Sequence, residues 1–573
     1  MSASRPGASR REWWKRAVVY QIYPRSFQDS DGDGIGDLRG IASRLDYLRE
    51  LGIDALWLCP VYDSPNADNG YDIMDYKEIM PEFGSMADMD GLISGARERG
   101  IGIIMDLVAN HSSDEHPWFR SSRLSRESPY RDYYFWRDGR DRGPPNNWRS
   151  YFGGSAWKYD GTTGQWYLHL FSEKQPDLNW GCRAMRDEIY GMMRWWLDRG
   201  IAGFRMDVIN MIDKHPALPD GPAKGPEEYG DGERYFLNRT GVHRHLREMR
   251  EQVFAGREAV AIGETPGVSP AVARKYVDPR RGELDMLFQF DRSLLGCGAS
   301  KWEASPWKLS ELKDIDRRWY EGLKGGGWNS VFLNNHDQSR MVSRYGDDGA
   351  HRVASATMLA AYVHTLPGTP FIYQGEEIGM TNAPFARIGD CRDIETLNWY
   401  AEGKLKGLDE GSMLAAIRRM GRDNARTPMQ WDSGRNAGFS TGECWIGVNP
   451  NHETVNVAAA MADPGSVWHF YRRLIGLRRE ERLLVEGDFS IADDRDESIY
   501  SYSRSGGGEA LLVILNFGSG APLYRFPDAA RRAKARLLVS NYDCPPAEEG
   551  LPEGMTLRPF EARVYKFKPP VAG

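Results

Sequence analysis

Four short apolar runs each end on an acid, and they carry the residues that could do chemistry. Gly203-Phe204-Arg205-Met206-Asp207-Val208 places an arginine two residues before Asp207. Residues 102–106 (GIIMD) end on Asp106 and continue through Asn110 and His111. Residues 259–264 (AVAIGE) end on Glu264, and residues 330–337 (SVFLNNHD) end on His336 and Asp337. Carboxylates, histidines and an arginine are the groups of acid–base and nucleophilic chemistry. Each run reads as a β-strand with its acid at or just past the C-terminal end. In a barrel of alternating parallel strands and helices, those ends form one rim, and active sites are built there. Four segments distant in sequence would then meet in one pocket.

The elements that must position these residues follow a β-α-β-α-β order. Strands are expected to begin at Ala17, Ala55, Gly102, Gly203, Ala259, Met286, Val331 and Phe371, which makes eight, the number that closes a (β/α)8 TIM barrel. Helical periodicity covers residues 38–51, 88–99, 186–199 and 467–478. The alternation stops between residue 112 and about residue 175, a stretch rich in Trp, Tyr, Gly, Pro and Arg. A loop that long rarely lacks structure of its own, so a small domain inserted after the third strand is expected. Residues 376–450 form a Gly- and Asn-rich stretch outside the pattern. From about residue 485 short β runs take over (498–502, 510–516, 535–540 and 562–567), as in an antiparallel β domain. The expected organisation is a barrel from residues 1–110 and 176–484, an inserted domain at 111–175, and a C-terminal β-sandwich-like domain at 485–573.

Composition excludes several function classes. Hydrophobic residues make up 41% and charged residues 27% of the 573, as in ordinary globular enzymes. A net charge of -7 leaves no basic footprint for nucleic acid. The six cysteines are scattered without metal-ligand spacing, which points to reduced thiols and a cytoplasmic protein. Residues 1–16 lack the apolar core of a signal peptide, and no run approaches the ~18 apolar residues of a membrane span. The first ten or so residues are expected to be disordered.

Eight motifs, in order, carry a resemblance. They are VVYQIYPRSF (18–27), NGYDI (69–73), DLVANH (106–111), KQPDLNW (174–180), GFRMDV (203–208), GET (263–265), NNHDQ (334–338) and RDNARTPMQW (422–431). Together they resemble the α-amylase-like glycoside hydrolase family, and within it the oligo-1,6-glucosidase (isomaltase) and α-glucosidase group. Only the first dozen residues and the loop at 216–232 fall outside the likeness. The resemblance implies a retaining, exo-acting α-glucosidase. It would cleave α-1,6 bonds at the non-reducing end of short oligosaccharides such as isomaltose, through a covalent glucosyl-enzyme intermediate. The partner would be that small oligosaccharide, and the protein would be a monomer.

The likeness also implies roles. Asp207 would be the nucleophile, Glu264 the general acid/base, and Asp337 the acid that grips the ring hydroxyls. The local sequence agrees with these roles. Arg205 shares a strand face with Asp207 and would keep it ionised, while the apolar strand before Glu264 would keep that acid protonated. His111 and His336 would hydrogen-bond the sugar. Tyr71 would stack under a terminal glucose, and Asp72 would bind its distal hydroxyls with Arg426 as ionic partner, closing the pocket behind one sugar. Gln175 would be a further contact and Phe152 a wall. Val208, directly after the nucleophile, is valine in isomaltase-like members and tends to be threonine in maltase-like ones.

Asp29, Asp31, Asp33 and Asp37 alternate with Ser30, Gly32, Gly34, Ile35 and Gly36. This spacing can wrap oxygen ligands round a hard cation, although it lacks the terminal Glu of an EF-hand. The resemblance implies a structural Ca²⁺ held by the four acids and the Ile35 carbonyl, with Mg²⁺ as the alternative ion and no organic cofactor.

Two competing readings remain. Sucrose isomerases (transglucosylases) of the same family share the acids but carry an arginine pair flanking an acid in the loop after the sixth strand. Here that loop is Phe290-Asp291-Arg292-Ser293-Leu294-Leu295, with one arginine. Non-catalytic amylase-like subunits of membrane transporters have a membrane span and have lost acids, neither of which fits this chain.

Overall fold

The computed structural model describes residues 10–569 except 142, 224, 226–228 and 545–549. The expected disorder of the first residues falls outside that range. Eight parallel strands form the central sheet: β1 (Val19–Ile22), β2 (Ala55–Leu58), β3 (Gly102–Val108), β4 (Gly203–Asp207), β5 (Val260–Glu264), β6 (Met286–Phe288), β7 (Ser330–Val331) and β8 (Thr369–Tyr373). They pair in the order β6-β5-β4-β3-β2-β1-β8-β7. A parallel bridge between Leu287 and Asn329 joins β6 to β7 and closes the TIM barrel. The strands are buried on both faces, as helix-covered parallel strands must be.

Register places the chemistry. Asp106 on β3 lies opposite Arg205 on β4, which in turn pairs with Ile262 on β5. Gly203 makes this approach close: a Cβ there would come within 2.2 Å of the Val260 carbonyl oxygen. The helix before β4, Arg183–Arg199, starts three residues earlier than expected and ends on Gly200 at φ 104. The expected helix at 38–51 is two helices, Leu38–Ser43 and Leu45–Leu51, broken at Arg44. β7 ends at Val331, so His336 and Asp337 lie beyond it on an irregular turn in which Asn335 Oδ1 accepts from the Asp337 N–H at 2.8 Å.

The segment after β3 carries a three-stranded antiparallel sheet of Trp136–Arg137, Gln165–Leu168 and Trp157–Asp160, with Gln165–Leu168 central. Its aromatic load is largely packing: Phe119 stacks on Trp136 at 5.5 Å, and both meet Tyr167. A buried ion pair, Lys214 Nζ to Asp177 Oδ2 at 2.6 Å, ties it to the segment after β4.

The stretch at 376–450 holds helices that composition concealed: Ile394–Leu405, Glu410–Met420 and Asp423–Arg426. The C-terminal part is a five-stranded antiparallel sheet. It docks on the barrel through Tyr502, whose hydroxyl meets Thr365 Oγ1 at 2.6 Å, and Tyr500, which donates to Asp316 at 2.8 Å. All six cysteines are free. Among the described residues no helix is long and apolar enough to cross a membrane.

Candidate active site

Arg205 is the hub of the rim. Nη1 lies 2.8 Å from Asp106 Oδ1 and 2.9 Å from Asp207 Oδ1, and Nη2 lies 2.6 Å from Glu264 Oε2. Three strand ends thus deliver three acids to one guanidinium that is only 1% exposed. One cation cannot neutralise three anions. Burial and the neighbouring Glu264 charge outweigh Arg205 and push the Asp207 carboxyl well above its usual range. Arg205 does pull the Asp207 carboxyl down, as expected, but that pull is divided among three acids. Burial also pushes Asp106 up to about 6, against the pull of Arg205.

The expected sugar-binding residues divide into two sets. Tyr71, His111, Phe152, Val208 and Asp337 line a pocket of about 300 Å³ together with Asp207 and Glu264. Tyr71 donates to Asp106 Oδ2 at 2.9 Å, and its ring stacks on His336 at 5.3 Å. Burial lowers His111 to about 4 and His336 to about 3, so both rings are neutral at pH 7. Burial would raise Asp337, but His336, Arg422 and Arg426 outweigh it and hold the carboxyl well below the usual range. Since His336 is neutral, the two arginines carry that effect, at 3.1 Å and 2.8 Å.

The other set is displaced from its expected role. Asp72 is fully buried, and its carboxylate accepts from the backbone N–H groups of Ala67 and Asp68 at 2.8 and 2.9 Å. It does not meet Arg426, which binds Asp337, Asp393 and the His336 carbonyl. The acid on the pocket wall is Asp68, 3.6 Å from Arg422. The reason is a tight turn with Asn69 at φ 50 and Gly70 at φ 93, in which the Tyr71 N–H donates to the Asp68 carbonyl. That turn points the acid before Tyr71 into the pocket and folds the acid after it into its own loop. Gln175 also sits behind the wall: it is fully buried, donates to Asp68 Oδ2 at 3.0 Å, and lies 3.1 Å from His111 Nε2.

Sequence reasoning missed Asp68, Arg422, the Lys301–Glu395 ion pair and Phe171, all on the pocket wall. Arg422 opens the motif RDNARTPMQW, but the motif carries two arginines and spacing alone does not say which faces the pocket. Lys301 and Glu395 lie in stretches with no chemical signature of their own. Arg422 Nε also reaches Glu395 at 3.3 Å, linking the far wall to the loop after β6. The single arginine of that loop, Arg292, is buried and turned to Asp316 at 2.6 Å, away from the pocket.

The acidic loop groups three of its four acids: ligand oxygens of Asp29, Asp31 and Asp37 lie within 4.8 Å of one another. Carboxylate oxygens are the ligand type of Ca²⁺, and these three would supply part of its oxygen shell. Asp33 stands apart and accepts from the Ile35 N–H at 2.8 Å, which departs from the expected four-acid set. Asp29 Oδ2 also accepts from Ser440 Oγ at 2.6 Å, so the loop is pinned to a segment far along the chain.

Known proteins resemble this chain over nearly its whole length. An oligo-1,6-glucosidase of Parageobacillus thermoglucosidasius is 55% identical over 562 residues, covering 98% of this chain and 100% of that protein. The solved structure of Bacillus licheniformis trehalose-6-phosphate hydrolase superposes with a TM-score of 0.92 at 44% identity, covering 97% of this chain and 100% of that one. Isomaltulose synthase from Klebsiella sp. LX3 gives 0.92 at 41% identity, with 97% and 99% covered. The alpha amylase catalytic domain matches residues 21–487, a span that begins within β1 and holds every acid on Arg205, and this chain belongs to the alpha-amylase family.

Proposed function

We propose that this protein is a retaining, exo-acting α-glucosidase that releases glucose from the non-reducing end of α-1,6-linked oligosaccharides such as isomaltose. The observation that carries this reading is the placement of Asp207 and Glu264 on adjacent nitrogens of one guanidinium. Two carboxyls that close leave no room for the intervening water that inversion needs, whereas direct attack by one of them suits retention. The two carboxyls hold one proton between them; with that proton on Glu264, the ionised Asp207 attacks the sugar carbon while Glu264 protonates the leaving oxygen. Glu264 then takes a proton from the water that releases glucose. Asp337, held ionised by two arginines, grips the ring hydroxyls as the ring distorts. Asp68 and Arg422, backed by buried Asp72, Gln175 and Arg426, wall off one end of the pocket, which favours removal of one terminal sugar. The 55% identical oligo-1,6-glucosidase supports the linkage, as does Val208 on the pocket wall.

Sucrose isomerisation is disfavoured because Arg292 faces Asp316 and not the pocket. A phosphorylated sugar is disfavoured because the Lys301 charge on the wall is already matched by Glu395. A non-catalytic transporter subunit does not fit a chain that keeps all three acids. The protein works as a cytoplasmic monomer on a small oligosaccharide. Asp29, Asp31 and Asp37 hold a Ca²⁺ whose role is to brace the loop against Ser440.

Proton NMR with isomaltose, maltose and sucrose in parallel tests the reading. The expected result is α-glucose as the first product, with isomaltose consumed before maltose and sucrose. β-Glucose appearing first would overturn the nucleophile assignment, and a new disaccharide from sucrose would overturn hydrolysis.

A further inference from the structure

The residue after the nucleophile has a backbone that its side chain opposes. Val208 is at φ 33, ψ 41, a left-handed conformation that β-branched residues rarely adopt. Such strain persists only where the surroundings over-determine it. Here they do. The Val208 carbonyl accepts from the Met211 N–H at 2.9 Å, opening the single turn Ile209–Met211. Within that turn Asn210 Nδ2 donates to Asn238 Oδ1 at 3.0 Å and to the Pro266 carbonyl at 2.8 Å. The outcome of the twist is that the Val208 N–H points across to β5 and donates to Glu264 Oε2 at 3.0 Å.

That oxygen already has Arg205 Nη2 at 2.6 Å. An oxygen facing two donors is an acceptor and does not carry a proton of its own. We propose that the left-handed Val208 is a positioning residue whose backbone N–H, with Arg205, pins Oε2 of Glu264 and leaves Oε1 as the atom that delivers and recovers the catalytic proton. This rests on the α-glucosidase reading above. In the first step the C1–O bond to the leaving sugar breaks, an Asp207 oxygen bonds to C1, and the Oε1 proton moves to the leaving oxygen. In the second, a water oxygen bonds to C1, the Asp207–C1 bond breaks, and a water proton returns to Oε1.

The direct test replaces the 207–208 amide by an ester, incorporating the α-hydroxy analogue of valine, which deletes the N–H and keeps the side chain. Isomaltose needs its leaving group protonated, and p-nitrophenyl α-glucoside does not. kcat/KM, which reports the first step alone, should fall about tenfold or more for isomaltose and less than about threefold for the aryl glucoside. Equal losses, or no loss with either, would overturn the proposal. If the ester protein does not fold, a crystal structure of Glu264→Gln with intact isomaltose decides. The side-chain atom facing the glycosidic oxygen should be the one not bonded to the Val208 N–H. One atom serving both contacts, or a broken Val208 contact, would overturn it. If the wild-type protein turns over neither sugar, the α-glucosidase reading fails and this inference fails with it.

Discussion

Asp68 and Arg422 stand 3.6 Å apart on the pocket wall, and Asp72, four residues further on, faces its own loop. Asp68→Asn should lower kcat/KM for isomaltose by about 10–100-fold, the cost of losing one charged hydrogen-bonding group. Asp72→Ala should act on stability, by about 1–3 kcal/mol, because two backbone donors lose their acceptor. Kinetics and urea denaturation of both variants separate the two roles. Loss of sugar binding in Asp72→Ala with unchanged stability would restore the assignment made from sequence.

The same pair sets a pH dependence. Burial pushes Asp68 up to about 7, beyond what Arg422 and Arg426 pull back. The folded state therefore holds that proton more tightly than the unfolded chain does. The resulting stability is fully present below the unfolded carboxylate value near ~4 and is lost as pH rises through about 7. Tm measured at several pH values across that window should fall more steeply for wild type than for Asp68→Asn. Parallel curves would show that Asp68 does not titrate there.

Lys214 and Asp177 are both fully buried and meet at 2.6 Å, with Asn110 Oδ1 as a second acceptor for the lysine at 2.6 Å. Lys214→Met leaves the carboxylate buried without its cation. The expected cost is about 3–5 kcal/mol, read from the denaturant midpoint. A change under 1 kcal/mol, estimated against that same range, would mean that water or a proton replaces the lysine.

Removing the cation proposed for the loop at Asp29, Asp31 and Asp37 should lower Tm and leave kcat unchanged at temperatures where the protein stays folded. A site filled at about 100 times its Kd contributes about 2.7 kcal/mol. EDTA scans with and without added Ca²⁺ measure this, and Asp29→Ala should make Tm insensitive to Ca²⁺. A fall in kcat at constant fold would move the ion from bracing to catalysis.

The strands and the acids at their ends were legible because two local signals coincide there. A run of β-formers marks the strand, and a carboxylate where it stops is unusual enough to notice. Gly203-Phe204-Arg205-Met206-Asp207 became β4 with the expected residues, and Arg205 and Asp207 share a face as period-two alternation requires. The helices within 376–450 were not legible, because Gly and Asn mask helical periodicity and the helices are short.

By itself, the sequence determined the barrel, the inserted and C-terminal β parts, and which acids reach the rim, since periodicity and order along the chain carry that information. The tertiary structure alone decided which of Asp68 and Asp72 faces the pocket, which of Arg422 and Arg426 answers it, and that Arg292 turns away. It also decided that three acids share Arg205, so that the protonation of Asp207 follows from the whole cluster. The physical reason is common to all of these. A turn of two left-handed residues reverses where a side chain points, and a charge responds to every neighbour brought within a few ångströms, and neither is written in local sequence spacing.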